Sequence, residues 1–193
     1  MVIRTTDFLL DYVLAAAHDY YAAELALTQA FAPTKNITNC QPQANLAIRR
    51  ACEACVAIDG LTDRAHIETG QSMTAIRTAI DPLCIINGYH RAGAFVRVSA
   101  AANAYKHSDL THPRHPISSF GHILAVGAGY GVDGFGIGKY SGVEVILTLT
   151  NGTQRKMLGD LPYAVRGWLS FLRANGAPLP TGPFKVCNVT VWP

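Results

Sequence analysis

The segment THPRHP, residues 111–116, divides the chain into two hydrophobic rhythms. Before it, apolar residues recur every three to four positions, which lays them on one stripe of a helix. After it, short runs of strand-forming residues are broken by turn residues. The fold class this implies is α+β: an N-terminal helical bundle, then a small antiparallel sheet with one C-terminal helix. Residues 1–110 make the helical part and 117–193 the β-rich part. A chain of 193 residues suits one domain, or two small subdomains sharing a core.

In the first part, Phe8, Tyr12, Ala16, Tyr20, Ala23, Leu27 and Phe31 stand at helical spacing. They predict an amphipathic helix over 6–31, with Thr6 as N-cap and Pro33 closing the segment. A second helix is expected over 44–58 and stopped by Gly60, and a third over 72–80 and interrupted by Asp81-Pro82. The alanine-rich run from Leu83 to His107 reads as a long helix packed inside the others, weakened at its start by Gly88 and Gly93.

In the second part, Asn151-Gly152 between two strand-forming runs signals a tight hairpin. The expected register sets Thr150 against Thr153 and Val145 against Leu158. A helix capped by Asp160 follows, with Pro162 in its first turn, a buried stripe of Val165, Trp168, Leu169 and Leu172, and a stop at Gly176. The stretch 184–192, FKVCNVTVW, reads as a last strand.

The segment VGAGYGVDGFGIGKY, 126–140, contains GxGxxG. That pattern holds a dinucleotide only where a helix follows the glycines. Here FGIGKYSGVEV follows, too glycine-rich to open one, and Asp133 and Tyr140 break the phosphate-loop pattern. Asp133-Gly134 instead reads as the turn of a hairpin. One face carries Tyr130, Val132, Phe135 and Ile137, while the other is bare glycine backbone on both strands. Such a face wants a close neighbour: a helix of the chain, a partner subunit, or a ligand or peptide. Gly129, Gly131, Gly136 and Gly138, with Lys139 beside them, are the candidate ligand- or partner-binding residues.

Composition narrows the class of protein. A net charge of +3 with scattered Lys and Arg does not announce nucleic acid. Asp7 and Asp11 interrupt the apolar start that would otherwise mimic a secretory signal, and no apolar run reaches membrane-spanning length. Five cysteines, an odd number, suit reduced thiols in a cytoplasm. Cys52 and Cys55 form CxxC within a helix, where a redox pair lacks the helix N-terminus that would activate it, and they read as small core residues. His107, His112 and His115 have no defensible metal spacing. No serine sits in a GxSxG elbow, the signature of many hydrolases. Neither metal nor cofactor is expected. The reading is a non-enzymatic binding or interaction protein, with a protein or small ligand as partner, that uses the glycine-faced hairpin.

The phrase NAYKH, Asn103 to His107, ends the alanine-rich helix and resembles the polar end of HEPN-like domains. The resemblance implies a dimeric helical bundle with metal-independent ribonuclease activity, as in bacterial toxin, defence or RNA-processing systems, and RNA as the partner. It covers the first 110 residues. The family pairs an arginine with a histidine four to six residues later. His107 takes the histidine's place, whereas the nearest preceding arginine of that helix is Arg97, nine intervening residues away, or about 15 Å of helical rise. In such an enzyme His107 would be general acid or base, Lys106 or Arg97 would stabilise the phosphate, and Asn103, four residues before His107, would share its helix face.

Overall fold

The computed structural model describes residues 2–107, 109–110, 115–126, 132–133, 137, 139 and 142–192. Its first rod is helical from Ile3–Phe8 (α1), through one wider π turn at Leu9–Val13, to Leu14–Phe31 (α2). Thr5, Leu9, Val13 and Ala17 are buried at steps of four, longer than the 3.6 residues of an α turn. The wider turn takes up that drift and holds the row on one face. The inner stripe therefore starts one position away from the expected one: Leu9 and Val13 are buried, and Tyr12 is 62% exposed. Thr6 is no N-cap. It lies inside the helix and donates its hydroxyl to the Val2 carbonyl at 2.6 Å. The helix start is capped from outside by Glu68, which accepts from the amides of Arg4 and Thr5 at 2.8 and 2.9 Å.

The second helix, α3, spans Gln41–Thr69 and runs straight through Gly60. A mid-helix glycine costs about 1 kcal/mol, and burial of Leu61, Thr62 and Ala65 beyond it outweighs that penalty. The stop is Gly70, in the left-handed region at φ 71°, with its amide on the His66 carbonyl. Ser72 caps α4, Met73–Ile80, by accepting from the Ala75 amide at 3.1 Å.

The long helix expected from Leu83 is split. Ile85–Ile86 (β1) and Tyr89–His90 (β2) pair as a hairpin around Asn87-Gly88, with positive φ at both turn residues. Asn-Gly is the preferred pair for such a turn. Only Ala94–His107 is helical (α5). Nine of its residues are buried, so it does lie inside the other helices.

The sheet is β3-β4-β5 (Ile123–Val126, Glu144–Thr148, Gln154–Lys156), antiparallel throughout. Its second hairpin sets Thr148 opposite Gln154, one residue away from the expected register, because Gly152 at φ 81° closes a three-residue loop rather than a two-residue one. Leu158 pairs with no strand, since α6 already begins at Met157 and runs to Ala174. Val165, Trp168, Leu169 and Leu172 are buried as expected, and Gly176, at φ 75°, follows the helix end. The last strand is two strands, Phe184–Val186 (β6) and Val189–Trp192 (β7), turned at Cys187-Asn188 with φ 49° and 64°.

One hydrophobic cluster joins α2, α3 and α5 to β4 and α6. At its centre Trp168 meets Phe95 edge-on, with ring centroids 5.9 Å apart. Cys52 and Cys55 sit fully buried in it, as expected of small core residues. No helix among the described residues is long and apolar enough to cross a membrane.

Candidate functional site

Two polar centres stand out against this core, and they differ in access. The first is closed. Asp160, in the opening turns of α6, is fully buried and accepts from Arg97 in fork geometry, Nε and Nη2 each at 2.8 Å, and from Arg91 Nε at 2.6 Å. Arg91 also reaches Asp133, which takes Arg155 Nη1 and the Lys156 amide at 2.8 Å each. A parallel set binds α2 to the sheet. Glu24 accepts from Tyr20 at 2.6 Å and the Val145 amide at 2.7 Å, and pairs with Lys139 Nζ at 2.7 Å. Glu144 accepts from the Lys139 amide at 2.5 Å and forms an ion pair with Lys156 Nζ at 2.8 Å. Burial pushes the Glu24 carboxyl up, against the pull of Lys139 and its hydrogen bonds.

The lysine expected on the ligand surface is thus turned inward. Lys139 Nζ has Glu24, Thr28 Oγ1 at 2.6 Å and the Val143 carbonyl at 2.7 Å, a partner for each of its three protons. Arg97, named above as a phosphate ligand, has its guanidinium held by Asp160 and the Ala92 carbonyl. Gly129, Gly131, Gly136 and Gly138 lie outside the described residues. Asp133 is described, with φ 65°, and neither it nor Val132, Ile137 or Lys139 belongs to a strand.

The second centre is open. A groove of about 600 Å³ lies between α4 and α5, and His115 and Pro116 form part of its lining. Phe95, Val96 and Ala100 supply apolar wall, and Arg77, Ser99 and Asn103 supply polar wall. Beneath it Asp59 of α3, 6% exposed at its side chain, gathers three donors: Ser99 Oγ at 2.6 Å, Arg77 Nη2 at 3.0 Å and Lys106 Nζ at 3.3 Å. Three helices therefore meet at one carboxylate. The two cations stay about 40% exposed, so each keeps donors for something else.

Of the three residues expected at a catalytic end, Asn103 lines this groove and Lys106 reaches Asp59 beneath it. His107 is exposed at the last position of α5, and its carbonyl accepts the Asp109 amide at 2.7 Å. Asp59, Arg77 and Ser99 escaped sequence reading. Ser99, Asn103 and Lys106 stand at i, i+4 and i+7, a helical stripe legible in principle; Asp59 was hidden by the adjacent Gly60, which imitates a helix stop. Among the described residues no group of three His, Cys, Asp or Glu side chains could hold a metal ion. No protein-family model matches the chain, and neither does any curated protein or solved structure.

Proposed function

We propose that the protein is a non-enzymatic binding protein that seats a small organic ligand in the groove between α4 and α5. One observation carries this reading: a concavity of about 600 Å³ combines apolar wall with a few convergent polar groups, Arg77, Ser99 and Asn103. Pockets for small ligands have that size and that mixture. Held by Asp59, the side chains of Arg77 and Ser99 are positioned before any ligand arrives, which lowers the entropy cost of binding. The hairpin expected around Asp133-Gly134, with Gly129, Gly131, Gly136 and Gly138 on one face, fits the same class of function, since that face would offer a partner bare backbone.

The exposed end of α5, where His107 follows Lys106 and Asn103 lines the groove, favours a second reading. This is metal-independent RNA cleavage of the HEPN type, with His107 as acid or base at the 2′-hydroxyl and Lys106 at the phosphate. Arg97 has no place in it, because Asp160 holds that guanidinium.

One set of measurements separates the two. Titration with benzamide and benzoate, followed by the amide resonances of Ser99, Ala100 and Asn103, should shift those signals, and Asn103→Trp should block the shift by filling the mouth. A mixed RNA pool should stay intact. Cleavage that disappears in His107→Ala would replace the binding reading with the nuclease.

A further inference from the structure

The charges around the groove say what kind of ligand it takes, given that the groove is a binding site. Arg77 and Lys106 are both cations, and Asp59, the one carboxylate paired with them among the described residues, neutralises one. Among the described residues that line the groove there is no Asp or Glu. Ser99 donates its only hydroxyl proton to Asp59, so it adds no donor. Arg77 Nε is buried and has no hydrogen-bond partner among the described residues. That atom is closed to the groove, so the reachable part of Arg77 is the rest of its side chain, which is 41% exposed. Farther along, Phe95, Val96 and Ala100 make the wall apolar.

We infer that the ligand is an organic anion, with a carboxylate or phosphate group set against Arg77 and Lys106 and an apolar body lying along Phe95, Val96 and Ala100. Guanidinium pairs with both anions through two parallel N–H bonds, and the part-buried position of the pair limits screening by salt. Asn103, on the same helix stripe as Ser99 and Lys106, stands where it can hydrogen-bond the polar end.

The test uses two probes of nearly one shape, benzoate and benzamide, which differ in charge. Benzoate should bind at least about tenfold more tightly, a difference one charge-assisted bond can supply. Arg77→Gln should erase that preference. Its side chain is 41% exposed, so the fold should survive, and unchanged resonances away from the groove would verify this. Lys106→Gln is a second variant with the same expected direction. Phenyl phosphate binding more tightly than benzoate would identify the group as a phosphate ester, and weaker binding would identify a carboxylate; both support an anion. Equal binding of benzoate and benzamide would overturn the anion inference and leave the groove standing. No shift with either probe would remove both.

Discussion

Asp160 is the residue on which most of the interior charge depends. Its position near the start of α6 suggests a cap, yet it faces α5 and binds two guanidiniums, Arg91 and Arg97, with no exposure to water. Its neighbour Gly159 fits the same arrangement: a Cβ there would come within 2.7 Å of Arg91 Nη2, so the arginine occupies the space a side chain would need. Breaking a buried pair strands the remaining charge, which typically costs about 3–5 kcal/mol. Asp160→Asn should lower stability in urea denaturation by about that amount. A loss below about 1 kcal/mol would show the two arginines re-paired elsewhere. None of this was legible locally, because Arg91 and Asp160 stand 69 positions apart.

Elements were legible where their signals are local. The third helix expected from residue 72, the stripe of α6 and the turn at Asn151-Gly152 each involve residues within a few positions of one another. Asn87-Gly88 carried the same hairpin signal as Asn151-Gly152, but the apolar run around it reads equally well as helix, and the turn decided the matter. Glycines inside helices show how packing sets the sign of a change. At Gly60 a Cβ would meet only the end of Arg64, at 3.6 Å. Gly60→Ala should therefore stabilise, by up to about 1 kcal/mol. At Gly167 a Cβ would lie 3.0 Å from Cys84 Sγ and Ile80 Cγ2 and 3.1 Å from the Ile80 carbonyl, where α6 crosses the end of α4. Gly167→Leu should destabilise by about 1–3 kcal/mol or more through overpacking. Thermal melts of the two variants should move in opposite directions, and melts moving together would contradict this account.

At the scale of the molecule, the thiols report on the integrity of the shared core. Cys40, Cys52, Cys55 and Cys84 are buried and Cys187 half-buried. Burial pushes the Cys52 and Cys84 thiols up to about 12, and Cys55 and Cys187 also well upward. Thiolates are the reactive form, so labelling by a thiol reagent near pH 8 should be slow in the native protein and complete on unfolding. The linkage has a definite sign. Groups whose folded values are raised keep the proton in the fold, so their contribution is whole below the ordinary thiol value of about 8.5 and lost as pH rises toward 12. Urea midpoints should fall steadily above about pH 8.5. A flat profile there, or rapid native labelling of several thiols, would mean the core is more open than described.

The sequence by itself determined what short-range forces determine: helices before strands, the place of the turn at Asn151-Gly152, the apolar stripe of α6 and the burial of the small CxxC pair. Each depends on side-chain spacing or backbone preference within a turn or two of chain. Tertiary structure alone decided that α3 passes through Gly60, that Lys139 points at Glu24 115 positions earlier, and that Arg77, Ser99 and Lys106 share the Asp59 carboxylate under a groove. Charge pairing and concavity are properties of distance in space, and contacts between residues far apart in the chain leave no periodicity along it to read.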